Sequence, residues 1–225
     1  MISRAATKPR RPPVSKTRRW SGTKLGGDEQ RETTRLAILH AAAKMFVERG
    51  FYETSLTDIA ASLGVTKPTL YYYVSSKDEM LAQIASEAIG ATEKLISETS
   101  AGARDALDAL RLFMRSYVRL MDGDFGRCLL AARHIRLAPE TERRLNARFR
   151  RIDTRARELL ASGVTDGSIR VTDVRMATFI LYGAMNWVPH WYHDGGALTA
   201  EDAGDAMFAV LAEGFATRRP ARARS

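Results

Sequence analysis

The sequence of 225 residues predicts an all-α fold of about nine helices, three in an N-terminal unit and six in the unit that follows. Apolar residues recur every three or four positions along most of the chain, which is typical of amphipathic helices. No segment alternates polar and apolar residues over a useful length, so β-strands are not expected. Serine, threonine and glycine residues also stand where helices are usually capped, and they divide the chain into elements.

The boundaries of three short helices lie within residues 54–80. Ser55 and Ser76 each stand three positions before an acidic residue, which is the spacing of a capping box. Gly64 is expected to end the first helix as a left-handed cap, and Thr66 to cap the second. Two brief helices joined by a turn with glycine form a helix-turn-helix, which lays its second helix in the DNA major groove. The pattern therefore predicts a DNA-binding protein.

A longer set of residues at fixed offsets extends this motif: Ile38, Ala41, Ala42, Phe46, Arg49-Gly50-Phe51, Thr54, Ile59-Ala60, Leu63-Gly64-Val65, Thr69-Leu70-Tyr71 and Lys77. With these residues the chain resembles the tetracycline-repressor (TetR) family of bacterial regulators over about fifty positions, from Arg31 to Met80. Many constraints at fixed offsets are more specific than one short motif. The alternative is a small helical bundle with coincidental spacing.

The resemblance implies that a particular set of side chains contacts DNA: Thr57, Thr66, Lys67, Pro68, Thr69, Tyr71, Tyr72 and Lys77. Lys67 can donate to guanine, and Thr69 or Pro68 can offer apolar contact to a thymine methyl group. The hydroxyl groups of Tyr71 and Tyr72 suit phosphate oxygens, which fix register without reading sequence. The start of the second motif helix is therefore the predicted reading surface.

Three neighbours of that surface have other predicted roles. Lys77 begins the next helix, where its charge and the free amide groups can hold a phosphate together. Leu70 and Tyr73 are expected to point inward. For Tyr71 and Tyr72, which are assigned to DNA, packing in the core is the alternative. Three successive helical positions cannot all face the core, which favours the DNA assignment.

The positive charge of the chain is concentrated at its two ends. Residues 1–30 contain eight Lys or Arg and two acidic residues, and residues 218–225 contain four Arg. The remaining 187 residues carry 23 basic and 24 acidic side chains. Because apolar residues are few and prolines frequent, we expect 1–30 to be a disordered basic arm and 218–225 a basic tail. Such an arm can follow the DNA backbone or enter the minor groove, and a solubilising leader is the alternative.

Residues 31–80 form the predicted helix-turn-helix unit, and residues 81–217 are long enough for a second helical unit with its own core. We assign this second unit to ligand binding and dimerisation, in line with the resemblance. Its first predicted helix continues from the first unit to Ser97. The next predicted helices cover 103–121, a short segment around Leu129 to Ile135, and 139–162. Two more are expected to begin at Thr172 or Asp173 and at Thr199.

Residues 176–193 contain no Lys, Arg, Asp or Glu, and their length reaches the lower limit for a membrane span. Asn186, Pro189 and two histidines favour a buried interface helix instead, which Pro189 should bend or end. In the TetR family two C-terminal helices of each chain pair into a four-helix bundle. The resemblance thus implies a homodimer with an interface of Ile180, Ala184, Ala203, Met207, Val210, Leu211 and Gly214.

The segment Asn186-Trp187-Val188-Pro189-His190-Trp191-Tyr192 resembles TetR-type regulators of fatty-acid, sterol and aromatic-acid breakdown, several of which respond to acyl-CoA thioesters. It implies a small apolar or acyl effector held between the long helices. Helical spacing proposes the lining residues Phe113, Met114, Tyr117, Met121, Leu129, Ile152 and Trp187, with Arg133 or His134 as the polar anchor. Ordinary core or interface packing is the alternative for each of them.

Neither catalysis, a metal nor a cofactor is expected. Cys128 and His134 lie nearly two helical turns apart, too far for a thiol–histidine pair. His190, His193 and Asp194 could approach a metal, but beside a tryptophan cluster they favour structural roles. The single cysteine excludes an internal disulfide, and an apolar secretory stretch is missing, so a cytoplasmic location is expected.

Together these features predict a homodimeric, ligand-responsive transcriptional regulator, expected to be a repressor, on a palindromic double-stranded DNA operator. Effector binding would move the two reading helices away from successive major grooves, about 34–36 Å apart. The alternatives are a multidrug or antibiotic sensor that controls an efflux pump, and a ligand-independent architectural protein. An acyl-CoA sensor should bind an anionic thioester, a drug sensor should prefer cationic or neutral aromatics, and an architectural protein should respond to neither.

Overall fold

The computed structural model describes residues 27–193 and 195–214, and all the regular structure in these ranges is helical. The helices are α1 (Gly27–Arg49), α2 (Leu56–Leu63), α3 (Lys67–Tyr71), α4 (Lys77–Gly102), α5 (Ala106–Asp122), α6 (Asp124–Ala132), α7 (Pro139–Asp166), α8 (Val174–Asn186) and α9 (Ala200–Glu213), with a 3-10 turn at Val188–His190. The all-α prediction is confirmed. Residues 1–26 and the basic tail lie outside the described ranges.

Local capping sets the ends of α2 and the start of α3 as predicted. The Ser55 hydroxyl accepts from the Asp58 amide at 3.1 Å, and the Asp58 carboxylate accepts from the Ser55 amide at 3.0 Å. Gly64 ends α2 with a φ of 66°, a left-handed conformation that favours glycine. The Thr66 hydroxyl accepts from the Thr69 amide at 3.4 Å and so caps α3.

The predicted capping box at the start of α4 is only half correct. The Ser76 hydroxyl accepts from the Glu79 amide at 3.0 Å, as a cap should. The Glu79 carboxylate, however, accepts from the amide of Ser75 at 2.9 Å and from its hydroxyl, and not from Ser76. Two consecutive serines precede this helix, and the long glutamate side chain reaches the earlier one.

Several helix ends differ from the sequence prediction. Helix α1 begins at Gly27, so the last four residues of the predicted arm are helical. Helix α4 runs past residue 80 to Gly102 and so belongs to both predicted units. Helix α7 continues to Asp166, and Ile135 lies beyond the end of α6. Asp173 caps α8, one of the two starts predicted for it.

One continuous hydrophobic core joins the helix-turn-helix to the second unit through α4. Ile84 and Ile89 of α4 are fully buried between helices of both units. Helix α5 packs closely along α9, where a side chain on Gly204 would place its Cβ 2.5 Å from the Arg115 Cα. The absence of a side chain at Gly204 therefore allows the two backbones to approach.

The apolar helix α8 ends at Asn186, and Pro189 lies in the 3-10 turn that follows, as its position predicted. None of the helices within the described ranges has the length and apolar character needed to cross a membrane.

Candidate nucleic-acid interface and ligand cavities

The predicted reading surface is exposed on α2, α3 and the residues that flank them. Thr57 and the set Thr66, Lys67, Pro68, Thr69, Tyr71 and Tyr72 are all exposed. Leu70 is fully buried and Tyr73 is half-buried, as predicted. A hydrogen bond of 2.8 Å joins the Thr66 and Thr69 hydroxyl groups. Helix α3 is thereby held by its own cap and by Leu70, while Lys67, Pro68 and Tyr71 are exposed on its surface.

Lys77 makes contacts within the protein that the sequence prediction did not include. Its Nζ donates to the carbonyl oxygen of Phe51 at 2.9 Å and to that of Tyr52 at 3.4 Å. It also lies 4.4 Å from the centre of the Phe51 ring. The ammonium group therefore ties the start of α4 to the segment between α1 and α2, and a phosphate contact from it stays a prediction.

Arg31 is a basic residue near this surface that is not among the residues predicted to contact DNA. Its guanidinium lies 4.9 Å from the centre of the Tyr72 ring, and both residues are exposed. Such a contact orients the tyrosine and places a positive charge over its ring. The only signal in the sequence was that the family likeness begins at Arg31.

A cavity of about 410 Å³ lies within the second unit, and we call it the α7 cavity because α7 contributes more of its lining residues than any other helix. Its lining residues are Thr92, Tyr117, Leu129, Leu130, Arg133, Asn146, Phe149, Arg150, Ile152, Asp153, Phe179, Tyr182, Gly183 and Asn186. Tyr117, Leu129, Arg133 and Ile152 had been predicted. The α8 residues and Arg150 had not, because they approach α5 and α6 only through the tertiary fold.

The α7 cavity is lined by both apolar and polar side chains and contains two unpaired cations. Arg133 and Arg150 form no ion pair within the part of the chain that the structure describes. Asp153, the only acidic lining residue, is paired with Arg157. Tyr117 donates to the Asn186 side-chain oxygen at 2.7 Å. Because the acid is neutralised and the arginines are not, the side chains that line the cavity carry a net positive charge.

Five predicted ligand residues do not line this cavity, and three of them lie in the core. Phe113, Met114 and Met121 are almost fully buried in the core. Met114 borders a smaller cavity of about 290 Å³ between α5, α8 and α9 instead. Helical spacing identified the correct face of α5, but it could not separate the residues that fill the core from those that reach a cavity.

His134 and Trp187 line a neighbouring cavity of about 520 Å³, which we call the α1 cavity because Phe46 and Val47 of α1 form one wall. Its other lining residues are Arg127, Leu130, Ala131, Arg133, Gly183, Asn186, Pro189 and His190. Four of them, Leu130, Arg133, Gly183 and Asn186, also line the α7 cavity. The two cavities therefore share a wall.

Helix α6 separates the α7 cavity from α1 and contacts both. Leu129 faces the cavity, whereas the Cys128 thiol donates to the carbonyl oxygen of Ala43 on α1 at 3.3 Å. The rings of Phe125 and His40 stack with their centres 4.2 Å apart. A displacement of α6 by a ligand would thus act directly on the first helix of the DNA-binding unit.

The exposed apolar residues of α8 and α9 include Ile180, Val210 and Leu211 of the predicted dimer interface. Gly214 is also exposed, and Ala184 and Met207 are half-buried. Ala203 is a correction: it is buried against α5 of its own chain and is not available to a partner. The small side chain of Ala203 allows close helix packing as predicted, but it packs against α5 of its own chain and not against a helix of the partner.

The candidate catalytic and metal groups are explained by packing. Burial raises the pKa of the Cys128 thiol to about 12, so it is a poor nucleophile. His190 stacks on Trp187 with ring centres 3.9 Å apart. Within residues 27–193 and 195–214 no group of three His, Cys, Asp or Glu could hold a metal, and Asp194 lies outside these ranges.

The similarity to known proteins covers both units. A family model described as bacterial regulatory proteins of the tetR family matches residues 38–84, and one described as a tetracyclin repressor-like C-terminal domain matches residues 103–215, half of the chain. The chain belongs to the TetR family of transcriptional regulators. This is a family of regulators and not of enzymes, as the sequence predicted.

Individual TetR relatives resemble the chain along most of its length. The transcriptional repressor KstR2 of Mycolicibacterium smegmatis is 28% identical over 79% of this chain and 88% of its own length. The fatty acid metabolism regulator protein of Bacillus subtilis is 22% identical over 70% of this chain and 82% of its own. The crystal structure of AibR in complex with isovaleryl coenzyme A and operator DNA superposes with a TM-score of 0.71 at 27% identity, covering 80% of this chain and 99% of AibR.

Proposed function

We propose that this TetR-family protein is a homodimeric repressor that leaves its operator when an acyl thioester binds in the α7 cavity. The observation that carries the proposal is the composition of that cavity: apolar side chains such as Leu129, Ile152 and Phe179 stand beside Arg133 and Arg150, which form no ion pair in the described ranges. At roughly 30 Å³ per water-sized group, its volume of about 410 Å³ fits a medium-length acyl chain. The names of the fatty acid regulator and of the AibR complex are consistent with this ligand class.

The release mechanism follows from the position of α6. A ligand that fills the α7 cavity presses on Leu129, and Cys128 and Phe125 of the same helix contact α1. Helix α4 offers a second route, because the Arg148 side chain on α7 donates to the Ser86 carbonyl oxygen and to Glu93, at 3.0 Å each. The effector then favours a state in which the two reading helices no longer fit one operator.

The proposal is tested with an operator selected from random-sequence DNA by the purified protein. Octanoyl-CoA should release the labelled operator in a fluorescence anisotropy titration, whereas octanoate and free CoA should be weaker. Arg150→Gln should weaken octanoyl-CoA binding about tenfold or more, because it removes a charged contact. Arg143→Gln is the matched control, since Arg143 lies on α7, pairs with Glu140 at 2.5 Å and lines neither cavity.

The same titration distinguishes the proposed function from the two alternatives, a drug sensor and a ligand-independent architectural protein. Tetraphenylphosphonium, a lipophilic aromatic cation, should leave the operator bound, because the α7 cavity presents two unpaired positive charges. Release by this cation and not by octanoyl-CoA would indicate a drug sensor. No release by any of the compounds would favour the ligand-independent architectural protein.

A further inference from the structure

The smaller cavity of about 290 Å³ between α5, α8 and α9 is a separate space, and we call it the α9 cavity because Phe208, Leu211 and Ala212 of α9 form one wall. Its described lining residues include none from α1–α4 and none that line the α7 cavity or the α1 cavity. Twelve of its fourteen lining residues are apolar, and the other two are Ser168 and Arg170. The α9 cavity is therefore more apolar than the α7 cavity and lies apart from the DNA-binding helices.

A second wall of the α9 cavity is fixed by contacts at the segment that follows α7. The Leu107 amide at the start of α5 donates to the Ser168 hydroxyl at 3.3 Å. The Ile169 amide donates to the Gly163 carbonyl oxygen at 2.8 Å, and the Ile169 side chain occupies the space that a Cβ on Gly163 would take. Walls held in this way are formed before a ligand binds, as is usual for small-molecule sites.

Arg170 is the one charged residue among the described residues that line the α9 cavity. Its side chain is exposed, and it has neither an ion pair nor a cation–π contact within the part of the chain that the structure describes. A free guanidinium beside an apolar space can form a charge-assisted hydrogen bond with an anionic group while the apolar part of the same molecule is buried.

Two residues of the α9 cavity also belong to the predicted dimer interface. Ile180 on α8 and Leu211 on α9 line the cavity, and both are exposed in the single chain. A molecule that fills the cavity would hold these two side chains, and the helices that carry them, in one arrangement. Anything that binds the arrangement recognised by a second copy strengthens association by mass action.

We propose that the α9 cavity is a second small-molecule site, for a medium-chain aliphatic carboxylate, and that its occupation strengthens the dimer. The apolar lining holds the chain, and Arg170 pairs with the carboxylate. At roughly 30 Å³ per water-sized group, a volume of about 290 Å³ holds about ten non-hydrogen atoms, which is about the size of octanoate. Because none of the described lining residues lies on a DNA-binding helix, octanoate bound there leaves the operator occupied. This site is additional to the acyl thioester site and does not depend on it.

Calorimetry with octanoate and two arginine variants tests where the carboxylate binds. Arg170→Gln should weaken octanoate binding about tenfold, because it removes a charge-assisted contact. Arg175→Gln is the matched control, since Arg175 is an exposed cation on α8, lies 5.5 Å from the centre of the Phe179 ring and does not line the cavity. Arg150→Gln, on the α7 cavity, should also leave octanoate binding unchanged. Octylammonium, with the opposite charge, should not compete with octanoate.

A second pair of variants blocks the cavity from its exposed side. Ala212→Phe should abolish octanoate binding without unfolding the protein, because Ala212 is exposed and lines the cavity. Ala161→Phe is its control, since Ala161 is exposed on α7 and does not line the cavity. In sedimentation velocity, saturating octanoate should lower the dimer dissociation constant of the parent and of Ala161→Phe by about tenfold, within the usual range for coupled sites. It should not change that of Ala212→Phe.

Three results would overturn the proposal. Octanoate that does not bind the full chain would mean that protein atoms already fill the cavity. Octanoate binding that is weakened by Arg150→Gln and not by Arg170→Gln would place the ligand in the α7 cavity. A dimer dissociation constant that does not respond to bound octanoate would remove the link to assembly. None of these measurements involves a CoA thioester or DNA, so the proposed function can fail while the α9 site stands, and the reverse.

Discussion

Lys77 holds Phe51 by two contacts at once: its Nζ donates to the Phe51 carbonyl oxygen at 2.9 Å and lies 4.4 Å from the centre of the Phe51 ring. The bond joins the first residue of α4 to the segment that follows α1. That carbonyl lies near the C-terminal end of α1, where a cation is favourable. The contact therefore fixes the angle between α1, α4 and the reading helix that lies between them in the chain.

We expect Lys77→Ala to lower both stability and DNA affinity, because the loss of this contact loosens the frame of the helix-turn-helix. Loss of a charge-assisted hydrogen bond and a cation–π contact should cost about 1–2 kcal/mol. Thermal unfolding followed by circular dichroism measures this as a fall in Tm. An unchanged Tm together with weaker DNA binding would indicate that Lys77 instead contacts phosphate, as the sequence first predicted.

Lys67→Ala and Tyr71→Phe should weaken operator binding without changing Tm, because both side chains are exposed. A lost base contact from Lys67 costs about 1–3 kcal/mol, and a lost phosphate contact weakens all sequences alike. Lys94→Ala is the control, since Lys94 is exposed on α4 and pairs with Glu98 at 3.5 Å. Parent-like binding by both variants would place the reading surface elsewhere.

The helix-turn-helix could be predicted closely because short-range chemistry determines it. Ser55, Gly64 and Thr66 act on backbone groups within four residues of themselves, so their roles are visible in the sequence. Leu70 could be assigned inward for the same reason. Glu79 is the exception, since two serines compete for one carboxylate and the spacing alone does not decide between them.

The ligand cavities were less predictable because tertiary contacts between distant residues form them. Met114 and Tyr117 lie on the same stripe of α5, yet Met114 borders only the smaller cavity beside α8 and α9, whereas Tyr117 lines the α7 cavity. Arg150 lies on α7 and Tyr182 on α8. The spacing of apolar residues along one helix does not reveal how it crosses another. Ala203 shows the same limit, since its small size predicts close packing but does not identify the partner helix.

Deleting residues 1–26 removes eight basic and no acidic side chains and leaves α1, which begins at Gly27, intact. We expect an unchanged Tm, weaker binding to any DNA, and a smaller dependence of affinity on salt, because fewer counterions are released. Anisotropy titrations at several salt concentrations measure the slope. A deletion that keeps the slope of the full chain would show that the basic arm does not contact DNA.

Cys128 should be unreactive in the folded protein. Burial raises the pKa of its thiol to about 12, so the thiolate, which is the reactive form, is scarce at neutral pH and increases only as the pH approaches that value. Treatment with a chromogenic disulfide reagent at pH 8 should give no rapid release of colour, and one equivalent should react after unfolding in guanidinium. Rapid labelling of the native protein would mean that the α6–α1 contact opens frequently.

Val210→Glu should prevent dimer formation. Val210 is 46% exposed on α9, near the exposed Leu211, and the exposed Ile180 lies on α8. In the proposed dimer the substitution buries two like charges near the two-fold axis, where neither finds a cation, and their desolvation opposes association.

Val164→Glu on α7 is the matched control, because Val164 is 44% exposed and lies outside the predicted interface. Light scattering should show a monomer or an aggregate for Val210→Glu and the parent assembly for Val164→Glu. Operator binding should be lost only in Val210→Glu, since the single reading helix of a monomer makes too few contacts with DNA. A soluble Val210→Glu dimer that still binds the operator would show that the chains associate through another surface.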